Sequence, residues 1–207
     1  MTETEFLLWV RGPALQIATI VFVLGIVARI LQMVMLGRKG NLAEARGSAV
    51  AGGLRTMVTR SVPDKGTFQR STFTIVSGYI FHIGLFVTIF LFAPHILLVD
   101  EVFGLSWPAL PTPVVDATAV VTIIALLAVL IHRIKDPVMR FLSGFSDYLV
   151  WLVTFLPLLT GYIAFHRIGL SPPMLIALHI LSVELLMVLF PFTKLMHTFS
   201  LFIARYY

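Results

Sequence analysis

The stretch LHILSVELLMVLFPFTKLMH, residues 178–197, decides the fold of this chain. It is apolar enough to lie in lipid, yet it has a histidine near each end, His179 and His197, and Glu184 between them. At about 100° and 1.5 Å per residue, the step between the histidines makes five helical turns, so both imidazoles lie on one helix face about 27 Å apart. That span is close to the hydrocarbon thickness of a bilayer. The stretch therefore predicts a membrane-spanning helix with a titratable ring near each surface.

The composition of the whole chain indicates an integral membrane protein. Of the 207 residues, 58% are hydrophobic and 12% are charged, and the mean hydropathy is +0.97. A water-soluble domain of this size needs more polar surface. The chain has no cysteine, which excludes disulfides, iron–sulfur ligation and covalent c-type haem attachment. The net charge is +5, and the basic residues lie in particular loops between apolar segments. This pattern is typical of membrane topology rather than of nucleic-acid binding.

Five apolar segments have the length of membrane-crossing helices, and they form one membrane domain over residues 1–207. The predicted helices cover about 13–36, 73–99, 114–132, 147–165 and 174–202. Lysine and arginine are concentrated in segment 37–72 and in segment 132–146, while the loop 99–113 has neither. The positive-inside rule then places the N-terminus outside and the C-terminus in the cytoplasm. Within the cytoplasmic loop 37–72, residues 41–60 predict a surface helix that contacts either anionic lipid or a partner subunit.

The second helix has its own two histidines, His82 near the cytoplasmic side and His95 near the outer end. Because the fifth helix runs in the opposite direction, His82 lies at the depth of His197, and His95 at the depth of His179. Two neutral imidazoles that face each other across an apolar slot are the ligands of a bis-histidine haem b. On an ideal helix His95 is about 140° around from His82, but Pro94 can kink the helix and change that angle.

Two sequence motifs resemble a known family. These are FHIG at residues 81–84 and the helix-5 pattern LH…LFPFTKLMH, and together with the five-helix topology they are similar to the gamma-subunit family of membrane-bound respiratory nitrate reductase. Relatives of that family occur in heterodisulfide-reductase-like and sulfur-metabolism complexes. The resemblance implies a dihaem cytochrome b that oxidises quinol near the outer face and passes electrons to a cytoplasmic iron–sulfur subunit. It also implies that His82 and His197 ligate the inner haem iron, and that His179 ligates the outer one.

The fourth ligand departs from the family pattern. Where the family has a histidine ten residues after the first, this chain has Phe92, and His95 follows three residues later. Either His95 ligates the outer haem iron together with His179, or the outer haem is absent and His95 serves a quinone. Nitrate reduction itself is excluded for this chain, which has no room for a molybdenum domain.

Other candidate residues have a functional and a structural interpretation. Glu184 is a candidate proton acceptor at a quinone site, or it makes a buried hydrogen bond to another helix. Arg29 and Lys194 are candidate partners of the haem propionates. Trp107 and Trp151, near helix ends, are interpreted as interfacial anchors.

The sequence thus predicts an all-α, multi-pass protein of the cytoplasmic (inner) membrane. It is predicted to be a haem b subunit of a respiratory redox complex. We expect it to hold two haems b, and at least one. It would exchange electrons between the quinone pool and an iron–sulfur partner, as the quinol-oxidising or quinone-reducing part of an oxidoreductase. The alternative is a haem-free membrane anchor for a cytoplasmic enzyme. A proton-coupled transporter is disfavoured, because the five helices show no internal repeat.

Overall fold

Residues 1–36 and 47–206 are described by the computed structural model, and over these ranges the chain is helical without a β-strand. Within them, five helices are long and apolar enough to cross a membrane, which gives the architecture of a multi-pass membrane protein. They are Glu3–Met35, Thr72–Phe90, Thr112–Lys135, Phe145–Phe165 and Pro172–Phe192. The all-helical fold with five membrane-spanning helices is therefore confirmed.

The first spanning helix begins ten residues earlier than predicted. It consists of α1 (Glu3–Trp9), a π-helical turn (Val10–Ala14) and α2 (Leu15–Met35). Thr2 closes the N-terminus of α1 with a capping box, because its hydroxyl accepts from the Glu5 amide while the Glu5 carboxylate accepts from the Thr2 amide. Pro13 has no amide hydrogen and lies within the wider π turn, so the helix continues past it.

Two short helices follow, α3 (Ala49–Thr59) and α4 (Lys65–Arg70). The first agrees with the surface helix predicted over 41–60, although residues 37–46 lie outside the described part of the chain. Asp64 caps α4 by accepting from the amides of Gly66 and Thr67. The hydroxyl of Thr67 also donates to this carboxylate and holds the pKa of Asp64 below its ordinary value.

The predicted helix over 73–99 is two helices in the structure, α5 (Thr72–Phe90) and α6 (Ala93–Phe103). The break at Leu91 and Phe92 precedes Pro94, which sits in the first turn of α6, where its missing amide hydrogen is tolerated. Because of this break, the 140° angle expected for His95 on a continuous helix does not apply.

The third and fourth spanning helices are slightly longer than predicted. They are α7 (Thr112–Lys135) and α9 (Phe145–Phe165), and α8 (Pro137–Leu142) connects them. Asp136 caps α8 by accepting from the amide of Met139. At the other end of the bundle, the His166 side chain contacts the Asp116 carboxylate, with 2.8 Å between Nε2 and Oδ1.

The predicted helix over 174–202 is also interrupted. It consists of α10 (Pro172–Leu189), 3₁₀ turns at Phe190–Phe192 and Lys194–Met196, and α11 (His197–Tyr206). Pro191 explains the end of α10, since it cannot donate the next helical hydrogen bond. His179 and His197 therefore do not share one continuous helix, which differs from the five-turn prediction.

The helices α5 and α10 do not pack directly against each other. Over the described ranges α5 packs against α7, and α10 packs against α9 and α2, whereas α5 and α10 have almost no close backbone contact. The α5–α7 contact is tight, because a Cβ added at Gly84 would lie 1.8 Å from the Thr122 hydroxyl oxygen. The four histidines lie on four different helices, His82 on α5, His95 on α6, His179 on α10 and His197 on α11.

Candidate functional site

The structure brings the four histidines together in the two pairs that the sequence predicted. The ring centroids of His82 and His197 are 6.1 Å apart, and those of His95 and His179 are 6.2 Å apart. Over residues 1–36 and 47–206, no group of three or more His, Asp or Glu side chains is placed to hold a metal ion. Each pair could supply two imidazoles to a metal ion held between its rings.

The distance within each pair agrees with two imidazoles bound to one metal ion. A metal–imidazole bond is about 2.0 Å and the ring nitrogen lies about 1.1 Å from the ring centre, so two rings on opposite sides of a metal have centres about 6.2 Å apart. The observed 6.1 and 6.2 Å equal this separation. The distances are thus compatible with a metal ion between the two rings of each pair, and they also lie within the range of ordinary ring packing, roughly 4.5–7 Å between centroids.

The Nδ1 atoms of three of the histidines donate to backbone carbonyls. His82 donates to Gly78 at 2.7 Å, His95 to Thr88 at 2.9 Å and His197 to Lys194 at 2.8 Å. A carbonyl oxygen can only accept, so each neutral ring carries its hydrogen on Nδ1. This leaves Nε2 with a free lone pair, the state in which an imidazole binds a metal.

His179 reaches the same state through a hydroxyl group. Its Nδ1 lies 3.3 Å from the Thr160 hydroxyl oxygen, and that hydroxyl donates its own hydrogen to the Leu156 carbonyl at 2.7 Å. With its hydrogen on the Leu156 carbonyl, the Thr160 oxygen can accept from Nδ1 of His179. Over residues 1–36 and 47–206, the Nε2 atoms of His82, His95 and His197 have no hydrogen-bond partner. These three imidazoles thus carry the hydrogen on Nδ1 and a lone pair on Nε2, and the Thr160 contact permits the same tautomer for His179.

The His82–His197 pair lies at the more open position. Both side chains are exposed in the isolated chain, and their rings are nearly perpendicular, at 87°. His82 occupies a continuous part of α5, while His197 follows the interruption after α10. The carbonyl that fixes His197 belongs to Lys194, in the 3₁₀ turn of that interruption.

The His95–His179 pair is more enclosed. Both side chains are half-buried, and their rings are nearly parallel, at 16°. Gly161 lies against His179, and a Cβ added there would be 3.0 Å from the imidazole Cε1. On the other side of the pair, Phe92 packs edge-on against His95 at 5.4 Å between ring centroids. Phe92 thus lines the pair and offers no ligating atom.

The two candidate propionate partners already have contacts within the protein. Arg29 donates from Nε to the Pro191 carbonyl at 3.0 Å and from Nη1 to the Gln32 side chain at 3.1 Å. Lys194 donates to Asp147 at 2.7 Å. The Lys194 ammonium and the remaining guanidinium donors of Arg29 stay available to a further anion, since each group has more donors than the bonds it makes.

Glu184 is buried within the bundle, with 5% of its surface exposed. Its Oε1 has no hydrogen-bond partner within residues 1–36 and 47–206. A buried carboxyl oxygen without a partner is costly, and it marks Glu184 as a group to be explained. The interhelical hydrogen bond offered as an alternative role is not made by this oxygen.

Several contributors to the site were missed by sequence reasoning. Thr160 and Gly161 shape the surroundings of His179. Asp147 binds Lys194 and also Arg133, with 3.7 Å between the Arg133 nitrogen and the Asp147 oxygen. Trp107, interpreted as an interfacial anchor, donates its indole hydrogen to the Phe90 carbonyl at 2.6 Å. Only Pro94, next to His95, signalled in the sequence that a carbonyl near residue 90 would need another donor.

Comparison with known proteins gives a relative without a functional name. The chain is 31% identical over 207 residues to a protein of Nitratidesulfovibrio vulgaris, and the match covers 95% of this chain and 89% of the relative. The name of that relative, "Protein", states no function. No protein-family model matches the chain, and no solved structure matches it significantly.

Proposed function

We propose that this chain, which belongs to the same family as the Nitratidesulfovibrio vulgaris protein, is a haem b electron-transfer subunit of a respiratory membrane complex. The observation that carries the proposal is the pairing of four imidazoles at 6.1 and 6.2 Å, each with its Nδ1 occupied. The resemblance of FHIG and LFPFTKLMH to the nitrate reductase gamma-subunit family supports the same function.

His82 with His197, and His95 with His179, would hold one haem b each. When bound, haem b supplies one-electron oxidation and reduction at each position. The protein contributes the ligand tautomer, through the Nδ1 hydrogen bonds, and the close approach of the two rings in each pair. Arg29 and Lys194 would neutralise propionate carboxylates, as their spare donors allow.

The second part of the proposal concerns the redox partners. Quinol or quinone would react near the His95–His179 pair, at the outer face of the cytoplasmic membrane. A cytoplasmic iron–sulfur subunit would exchange electrons near the His82–His197 pair. The position of His197 beyond the end of the fifth spanning helix supports the second assignment, because electron transfer to a partner requires a short distance to the surface. The chain would thereby be the quinone-reactive part of an oxidoreductase complex.

Quinol oxidation releases protons, so the site needs an acceptor. Glu184 is the proposed acceptor, since its buried Oε1 has no other partner in the described residues. Glu184→Gln keeps the size of the side chain and removes its basicity. We expect the variant to retain haem content and reduction by dithionite but to slow reduction by a short-chain quinol. An unchanged quinol rate would remove Glu184 from the proposal.

The function as a whole is tested by adding a short-chain menaquinol or ubiquinol to the oxidised, purified chain. The expected result is the absorbance band of reduced haem b. Its height should reach a large part of the height that reduction by dithionite gives. Reduction by dithionite but by neither quinol would contradict the quinone assignment. A colourless chain would contradict the haem assignment and favour the haem-free anchor.

A further inference from the structure

We propose that Trp107 is a positioning residue for His95, because its indole hydrogen bond fixes the helix break that turns His95 toward His179. This inference rests on the proposed function, in which His95 is a haem ligand. It assigns to Trp107 a role that differs from that of an aromatic anchor at the membrane surface, whose contribution comes from the ring alone.

The break between α5 and α6 leaves carbonyl oxygens that need new donors. In a continuous helix the Phe90 carbonyl would accept from residue 94, but Pro94 has no amide hydrogen. The indole Nε1 of Trp107 donates to that carbonyl instead, at 2.6 Å. Trp107 thus supplies the donor that the proline removes.

The neighbouring carbonyl is also bound by the loop that follows α6. The Leu91 carbonyl would accept from the amide of His95 in a continuous helix, but that amide donates to Phe92 at 3.0 Å. The amide of Leu110 donates to Leu91 in its place, also at 3.0 Å. Segment 104–111 is therefore joined to the break at two consecutive carbonyls.

A third carbonyl released by the break holds the imidazole itself. The Thr88 carbonyl would accept from the amide of Phe92 in a continuous helix, and in the structure it accepts from Nδ1 of His95 at 2.9 Å. The orientation of the His95 ring thus depends on the same break that Trp107 stabilises. Loss of the indole donor would leave the Phe90 carbonyl without a partner and favour a different course of the chain between residues 91 and 95.

Trp107→Phe tests the inference, since it keeps an aromatic ring and removes the N–H donor. The full-length chain, purified with its haem, is assayed for haem content and for the ferric electron paramagnetic resonance signal of each haem. We expect the signal of the His95–His179 haem to shift, or about half or more of that haem to be lost, while the His82–His197 signal is unchanged. The unchanged signal also reports that the variant is folded.

Trp151→Phe is the matched control. Trp151 likewise donates its indole hydrogen to a backbone carbonyl, that of Leu126 at 2.9 Å, but the carbonyl lies on α7 and away from both breaks. We expect neither haem signal to change in this variant. Equal changes in both tryptophan variants would overturn the inference, because they would show a general effect of losing an indole hydrogen bond.

Trp107→His separates the donor from the bulk of the ring, since imidazole retains an N–H group. Recovery of the His95–His179 signal in this variant, relative to Trp107→Phe, is the expected result. If Trp107→His and Trp107→Phe lose the His95–His179 signal to the same extent, the role of the hydrogen bond is overturned. This comparison also holds if Trp107→Phe loses both haems. A wild-type chain without haem would contradict the proposed function, whereas a wild type with two haems and an unchanged Trp107→Phe signal would contradict only this inference.

Discussion

The two histidine pairs are built on the same plan and differ in their surroundings. In each pair one histidine lies within a continuous helix, His82 in α5 and His179 in α10, and the other follows an interruption with a proline in it or directly after it. In each pair the histidine after the interruption donates to a backbone carbonyl at or beside that interruption, Thr88 for His95 and Lys194 for His197. The two breaks thus end a helix and also orient a histidine side chain.

The difference lies in ring orientation and exposure. The rings of the His82–His197 pair are nearly perpendicular and exposed, whereas those of the His95–His179 pair are nearly parallel and half-buried. An exposed pair is suited to electron exchange with a partner protein, and an enclosed one to a small reactant such as a quinone. The pairs are therefore expected to respond separately to substitution.

Removal of a ligand from the exposed pair has the largest expected effect. His197→Ala should abolish the haem of the His82–His197 pair and leave the other, because each pair provides both protein ligands of its own metal. Haem content by the pyridine haemochrome assay and the remaining resonance signal measure this result. His132→Ala is the control, since His132 packs on Phe73 at 4.6 Å between ring centroids and belongs to neither pair. Loss of both haems in His197→Ala would argue that the pairs are not independent.

His95→Ala tests the enclosed pair in the same way. We expect the haem content to fall from two to one per chain, with the resonance signal of the His82–His197 haem retained. The alternative stated for His95, a quinone contact without haem, makes the opposite prediction. In that case the haem content would stay constant and only the reduction by quinol would slow.

Ring orientation predicts two different spectra. Parallel imidazole planes act on the same iron d orbital and split the d levels strongly, which gives a rhombic signal. Perpendicular planes leave these levels nearly equal in energy and give a strongly anisotropic signal. We therefore expect one signal of each kind from the ferric wild type, with the anisotropic one missing in His197→Ala. Two identical signals would contradict the difference between 87° and 16°.

Substitution of a glycine beside each pair has the smallest expected effect, a shift of midpoint potential. Gly161→Ala places a methyl group 3.0 Å from the His179 ring, so the ring must move and the midpoint potential of that haem should shift by about 20–60 mV. Gly78→Ala is the counterpart beside His82, where an added Cβ meets nothing within 4 Å and the accepting carbonyl is retained. Potentiometric titration should show a shift in the first variant and none in the second. A shift in both would indicate a general effect on the bundle.

The spanning helices and the pairing of the histidines could be predicted from the sequence, because hydropathy sets the helices and topology sets depth. The helix interruptions were not predicted in position. Pro94 and Pro191 were visible, but a proline can kink a membrane helix or end it, and the outcome depends on which other groups satisfy the released carbonyls. Those groups are distant in sequence: Trp107 for the Phe90 carbonyl and Arg29 for that of Pro191.

The environment of each pair was also beyond sequence reasoning. The packing of α9 against the residues of the fifth spanning helix brings Thr160 to His179 and Asp147 to Lys194. No periodicity in the chain encodes these contacts. The unpartnered Oε1 of Glu184 is likewise a property of packing, although the presence of a carboxylate in an apolar helix had already marked the residue.

The haem-to-protein ratio of the purified wild-type chain tests the central claim most directly. It is measured by the pyridine haemochrome assay against protein concentration from amino-acid analysis. Two pairs of imidazoles at metal-binding distance predict two haems b per chain. A ratio of zero in a folded, membrane-extracted chain would contradict the claim.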